Sequence, residues 1–395
     1  MYCFWLIVFW FSIFIVCYTY VGYAAVLWLM VKIKEAVKGK TVEYPIEDLP
    51  EVTLLVAAYN EKDYVDAKVK NSLELEYPKD KLKIVWVTDG SDDGTPELLR
   101  QYQEITVYHN LERAGKIEAM SRGVKLSATP IIIFSDANTM LGKESVRRIV
   151  RFFVDPNVGC VSGEKRIFSN EKDTAAGAGE GLYWKYESFL KRYDARLYSV
   201  VGAAGELFAI RCELLPEMER DTLLDDFIIS LRIAMQGYVT QYDQDAYAYE
   251  TSSANVREEL KRKIRIAAGG FQSMVRLAPL LNIFRYGILS FQYISHRVMR
   301  WTLAPLCLLL LLVANSALAC RAGLFSCNFF SIVLWLQALF YSMALLGWFM
   351  ENRYIKLKIL FVPYYFFIMN FSVYLGLIRY LKKSQDVKWE RVKRR

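Results

Sequence analysis

The chain has 395 residues, a net charge of +8 at neutral pH, and 54% hydrophobic residues. The apolar residues are unevenly placed, which excludes a uniformly soluble chain: 1–31, 301–320, 322–350 and 359–378 carry no charged side chain, whereas about 40 to 275 has ordinary soluble composition. Seven scattered cysteines and only two histidines, His109 and His296, argue against a disulfide framework and against a zinc centre.

As a helix, each uncharged run is long enough to cross a hydrocarbon core of about 30 Å at roughly 1.5 Å per residue. The expected organisation is an N-terminal transmembrane helix (1–33), an aqueous domain (45–275), an interfacial, amphipathic segment (276–300), about three further transmembrane helices (301–381) and a basic tail (382–395). The first segment lacks a basic leading region and a small-residue cleavage pattern, so it reads as an anchor and not a signal peptide. Its charges follow it, in "KIKEAVKGK" (32–40). By the positive-inside rule the amino terminus is outside and the domain cytoplasmic. The tail carries seven basic and two acidic residues and suits anionic headgroups better than nucleic acid. Three spans after a cytoplasmic domain would place that tail outside, against the rule. Either the last apolar segment does not fully cross, or 280–296 dips into the bilayer, or the tail is an exception.

Within the aqueous domain, "VTLLVAAYNE" (52–61), "KIVWVTDGSDDGT" (83–95), "ITVYHN" (105–110) and "PIIIFSDAN" (130–138) are apolar runs that end in polar residues. Helical or polar stretches at 63–75, 95–104 and 116–127 alternate with them. The pattern predicts an α/β fold with a mixed, mostly parallel sheet covered on both faces. Ligands bind such sheets at the carboxyl ends of the strands. Those ends carry Asn60 and Glu61, then Asp89, Ser91 and Asp93, then Asp136 and Asn138. One carboxylate there is an ordinary strand exit; three strands delivering acids to one edge imply a cation. Neither a P-loop nor a "GxGxxG" turn after the first strand is present to cradle phosphate. A Mg2+ or Mn2+ ion on oxygen ligands is then a way to bind a diphosphate, with Asp136 as one ligand. Asn138 is either a neutral oxygen ligand or a turn residue.

The second half adds "DTLLDDFIISLRIAMQGY" (221–238), with helical apolar spacing from Phe227 to Met235 and Asp225 and Asp226 at its start. Acids there serve as a helix cap or as a reactive pair. "KRKIRIAAGG" (261–270) reads as a basic juxtamembrane helix. Tyr183, Trp184 and Tyr186 can stack on a sugar or pack a helix, and Gly202 and Gly205 allow close backbone approach.

These motifs together resemble the membrane-integrated family 2 glycosyltransferases of GT-A (Rossmann-like) fold, related to cellulose, hyaluronan and poly-N-acetylglucosamine synthases. "AAYNE" (57–61) looks like the first nucleotide-contacting strand end, "TDGSDDGT" (88–95) is similar to "DDGSxDGT", and "RAGK" (113–116) matches "RxGK". "SDAN" (135–138) stands where the family has "DxD". The resemblance implies a nucleotide-sugar site at Asn60, Glu61, Asp89, Ser91, Asp93 and Lys116, and a metal at Asp136 and Asn138. Asp226 matches the Asp of the family's "ED" motif that takes the acceptor's proton, with Asp225 where the family often has Glu and Arg232 as the counterpart of the motif's downstream Arg. Arg262 and Arg265 align with the Gln and Arg of "QxxRW", where forked guanidinium groups suit a departing diphosphate. Ile266 replaces the Trp that packs on the growing chain in processive members, which favours one transfer per encounter. Gly202, Gly205 and Trp184 fall on the acceptor side.

The implied function is inverting transfer of a sugar, from a UDP-sugar in preference to a GDP-sugar, to a lipid-linked or polysaccharide acceptor. It would occur at the cytoplasmic face of a bacterial plasma membrane, in cell-surface glycan synthesis. The alternatives are a processive synthase that extrudes its polymer and an inactive nucleotide-sugar-binding membrane regulator. A transporter with an inert insert conflicts with the absence of charge within the apolar runs.

Overall fold

The computed structural model describes residues 1–39, 48–168, 175–251, 256–351 and 358–383. The proposed domain boundary at 45 and most of the basic tail lie outside them. Among the described residues eight strands form one sheet: β1 (Val52–Ala58), β2 (Leu82–Asp89), β3 (Thr106–Asn110), β4 (Ile131–Asp136), β5 (Met140–Leu141), β6 (Val158–Phe168), β7 (Leu207–Arg211) and β8 (Val239–Thr251). Their spatial order is β3-β2-β1-β4-β7-β6-β8-β5. The first four are mutually parallel, β7 runs antiparallel between β4 and β6, and β8 lies parallel to β6. The expected mixed, mostly parallel sheet is present.

Every residue of β1 is buried, because both faces of the sheet are covered. Leu54, Trp86 and Ile133 face one apolar layer, and Leu55, Val85 and Ile132 face the other. A continuous apolar run is what such a two-sided environment selects. The register aligns Ala57 with Val87 on one side and with Asp136 on the other, so the polar ends of β1, β2 and β4 reach one edge together. The helices Lys62–Leu73, Thr95–Leu99 and Lys116–Leu126 make the crossovers.

Three helices among the described residues are long and apolar enough to cross a membrane: Tyr2–Lys38, Leu303–Ala322 and Phe329–Met350. The first is continuous through a π-helical turn at Tyr18–Gly22. The interval 276–300 is a chain of short helical turns, among them Ile283–Tyr286, Ile288–Tyr293 and the π-helical Ile294–Val298. The fourth apolar run forms the helix Lys358–Leu381.

A buried polar hub fastens the first apolar helix to the sheet domain. Tyr23, Leu27 and Val31 pack on Leu190, Tyr193 and Leu197 of the helix Ala175–Leu197. Asp194, fully buried, accepts hydrogen bonds from Tyr23 Oη (2.5 Å) and Gln292 Nε2 (3.1 Å) and pairs with His296 Nδ1 at 2.6 Å. Glu187 meets Arg297 at 3.1 Å and also Arg300. Burial pushes the Glu187 carboxyl up, but the two guanidinium groups outweigh it and hold it well below the usual carboxylate range.

Candidate active site

The cleft at the carboxyl edge of the sheet has a volume of about 720 Å3. Of the site residues read from sequence, Glu61, Lys116, Asp136, Asn138, Arg262 and Arg265 line it, together with Ile266. Its centre is a lysine. Lys116 opens the helix Lys116–Leu126, and its Nζ lies 3.1 Å from Asp136 Oδ1 and 3.2 Å from Asp225 Oδ2. The second contact is an ion pair, and among the described residues the buried Asp225 Oδ2 has no other donor beside it. Burial lowers the Lys116 pKa, but Asp136, Asp225 and Asp226 overcome this and hold it above the ordinary lysine value. The lysine is a permanent cation.

Asp225 and Asp226 begin the helix Asp225–Met235. Burial comes first among the causes that raise the Asp226 carboxyl to about 7; the Asp225 charge adds to it, Lys116 opposes, and Glu206 adds a further rise. Gly205 lies against this carboxylate: a Cβ there would sit 3.1 Å from Asp226 Oδ2. Gly202, at φ +89°, backs onto the next residue, and a Cβ would fall 2.2 Å from Phe227 Cδ2. The two glycines thus let the 202–205 turn press on the start of the acid-bearing helix. Gly202→Ala combines a left-handed backbone with that overlap and is expected to destabilise the fold by about 2 kcal/mol or more, read as a drop in Tm.

Other sequence candidates hold the walls without lining the cleft. Asp89 is buried and accepts from the amides of Ala114 (2.9 Å) and Gly115 (2.6 Å), fixing the turn that aims Lys116. Asn60, at φ 54°, and Ser91 and Asp93 knit two loops together. The Asn60 amide donates to Ser91 Oγ (3.1 Å), its side chain exchanges hydrogen bonds with Asp92, and Asp93 accepts from the amides of Lys62 and Thr95. Arg232 turns away, to Glu219 Oε1 at 2.5 Å and the Glu217 carbonyl. Trp184 faces two lysines, Lys165 at 5.4 Å and Lys263 at 5.8 Å from the ring centre.

Sequence reading missed several residues here. Lys165 and Glu206 both line the cleft and pair with each other, and Lys165 also pairs with Glu250. Burial alone would raise the Glu206 carboxyl; Lys165 pulls it down to about 2. Lys68 is fully buried beneath β4, donating to Ser135 Oγ and the Thr139 carbonyl, both at 2.7 Å. Burial depresses its pKa to about 7, against the pull of Asp136. Tyr59, Tyr64, Glu258, Lys261 and Arg379 also line the cleft.

The model of a family described as glycosyltransferase like family 2 matches residues 50–269. The chain is 25% identical over 246 residues to a poly-beta-1,6-N-acetyl-D-glucosamine synthase of Staphylococcus aureus; that match spans 60% of this chain and 59% of the relative. A synthase of the same name from Staphylococcus epidermidis is 22% identical over 383 residues, 92% of this chain and 91% of the relative. Among solved structures, a mannosyltransferase from Pyrobaculum calidifontis in complex with GDP-Man and Mn2+ superposes with a TM-score of 0.73 at 22% identity, covering 96% of this chain and 100% of that one. That likeness is one of fold, the GT-A fold. With more than half of its length matched, the chain belongs to glycosyltransferase family 2.

Proposed function

We propose that this glycosyltransferase moves a sugar, with inversion, from a UDP-sugar to a lipid-linked or polysaccharide acceptor on the cytoplasmic side of a membrane. The observation that carries the reading is the convergence of Asp136, Lys116, Asp225 and the raised-pKa Asp226 at the sheet edge where α/β proteins bind ligands. Asp226 is the base. It takes the acceptor hydroxyl's proton, the freed oxygen bonds to the anomeric carbon, and the bond to the diphosphate oxygen breaks on the opposite face. Lys116, Arg265 and Arg262 receive the charge that develops on the departing nucleoside diphosphate. Arg262 is held for this by both carboxylate oxygens of Glu259, each at 2.9 Å.

Among the described residues no three acidic, His or Cys side chains converge to chelate a metal by themselves. The donor set nevertheless suits a hard divalent cation: Asp136 and Asn138 offer oxygens at the cleft wall, and three carboxylates, Asp136, Asp225 and Asp226, act on the single charge of Lys116. Asp136 and Asn138 would hold Mg2+ or Mn2+, which when bound neutralises the donor's diphosphate. Asn60, Ser91, Asp93 and Asp89 serve by fixing the loops around the nucleotide, and Gly202, Gly205 and Trp184 frame the acceptor side.

Because Asp226 must be ionised, kcat/KM is expected to rise with pH and to level off above about 7. A profile flat from pH 5.5 to 8 would remove Asp226 from the role. Screening UDP- and GDP-sugars for release of the free nucleotide tests the whole reading, with turnover expected on a UDP-sugar. Ile266 in place of an aromatic predicts a single added sugar; a ladder of long products would make the enzyme processive.

A further inference from the structure

The helix Lys62–Leu73 buries Val65, Lys68, Val69 and Ser72, at i, i+3, i+4 and i+7, so a lysine stands in the stripe where an apolar residue is expected. The two valines join Leu54, Trp86 and Ile133 in one layer of the core. Side chains alternate along a strand, so Ser135 shares that face with Ile133. Asp136 shares the other face with Phe134, in the layer that holds Ala119 and Met120 of the helix opened by Lys116. Lys68 thus approaches the site from behind the sheet. It reaches the neighbours of Asp136 in place of its carboxylate.

The Lys68 amine, fully buried, donates to Ser135 Oγ and to the Thr139 carbonyl, both at 2.7 Å. Among the described residues these two neutral groups are its hydrogen-bond partners. One turn on, on the same side of the helix, Asn71 Nδ2 donates to the Leu141 carbonyl at 2.9 Å and Asn71 Oδ1 accepts from the Leu141 amide at 2.8 Å. Asp136 and Asn138 lie between the two holds, and both line the cleft. The Thr139 hydroxyl closes the turn by donating to the Asp136 carbonyl at 3.0 Å. Ser135 Oγ donates onward to the carbonyl of Glu206, another cleft residue, at 3.2 Å. Burying an amine among neutral partners is costly, and at a position set against a site carboxylate's own turn that cost points to function.

We propose that Lys68 and Asn71 are positioning residues for the divalent cation that serves the donor diphosphate: they clamp residues 135–141 from behind the sheet, so that Asp136 and Asn138 present their oxygens to the cleft. The proposal rests on the metal-dependent reading of the site and names what builds it. Groups that orient metal ligands from outside govern metal affinity by about 10- to 100-fold.

The test uses the full chain in phosphatidylcholine nanodiscs, with Mn2+ and UDP as probes. In Lys68→Met the Mn2+ concentration for half-maximal UDP binding is expected to rise about tenfold or more, while UDP affinity in EDTA stays within about twofold of the parent. Loss of the lysine charge would by itself leave Asp136 more attractive to a cation, so a rise reports lost positioning. Asn71→Ala, half-buried and with no change of charge, should raise the requirement about threefold and decides the matter if Lys68→Met does not fold. Lys70→Met, exposed on the same helix, should behave as the parent. In the metal-free chain, amide exchange at Thr139 and Leu141 should quicken about tenfold in Lys68→Met, with β1 exchanging within about twofold of the parent.

An unchanged Mn2+ requirement in both variants would overturn the proposal. So would an equal rise in Lys70→Met, or exchange that quickens equally in β1 and in the turn, since either means general loosening. A parent chain that binds UDP equally with and without Mn2+ would refute the metal reading itself, and the exchange comparison would still decide whether Lys68 holds the turn.

Discussion

Asp226→Asn is expected to lower turnover by roughly 10² to 10⁴-fold while donor affinity stays within about twofold, because the amide keeps the shape and loses the base. The comparison is kcat against donor Kd, measured on the full chain. A second readout separates chemistry from damage to the fold. The folded Asp226 carboxyl titrates near 7 against an ordinary value of 3.8, so between those limits the folded chain binds more protons than the unfolded one. Stability contributed by this group is present below that window and is lost as pH rises through it. At pH 7.5 the asparagine variant should melt no lower than the parent, and above it if relief of the buried charge dominates. Wild-type turnover in the variant would end the assignment; a lower Tm with lost donor binding would show that the substitution broke the site's frame instead.

Asp136→Ala is the other large effect. It removes a carboxylate that faces both Lys116, at 3.1 Å, and the proposed metal position. Donor affinity in Mg2+ or Mn2+ should fall about a hundredfold, to the level the parent shows in EDTA, and EDTA should then have no further effect on the variant. Equal donor affinity in parent and variant, with and without chelator, would reject Asp136 as the metal ligand. The lysine left behind keeps Asp225 at 3.2 Å, so the variant should remain folded.

The first half of the sheet was legible in the sequence because its strands are buried on both sides. β1 and β4 write that burial as unbroken apolar runs, and their polar ends mark the edge where the cleft lies. β6 and β8 were not read, and the reason is electrostatic. Lys165, Asp243 and Glu250 interrupt their apolar pattern, and each is buried only because a distant partner compensates it: Lys165 pairs with Glu206 and Glu250, and Asp243 with Arg151 at 2.7 Å. Such pairings join residues dozens of positions apart, and no local periodicity records them. Lys68 escaped notice likewise, since a lysine on an ordinary helix reads as solvated until β4 closes over it. The acidic pair was legible as a helix start, but its raised affinity for a proton belongs to the assembled cleft. Arg379 was hidden differently: it follows the apolar run 359–378 and reads as a boundary charge, and only the close packing of Gly376 on Ala267 brings it to the cleft.

The hub around Asp194 and His296 sets a limit on how this enzyme can be prepared. Excising residues 1–38 to obtain a soluble catalytic piece would strip Tyr23 from Asp194 and uncover the apolar side of the helix Ala175–Leu197. A carboxylate designed for enclosure would then meet solvent on one side while still tied to His296 on the other. The first apolar helix is thus a structural part of the enzyme, and since it is long and apolar enough to cross a membrane, detergent or a lipid disc around the full chain is the preparation its own wiring calls for.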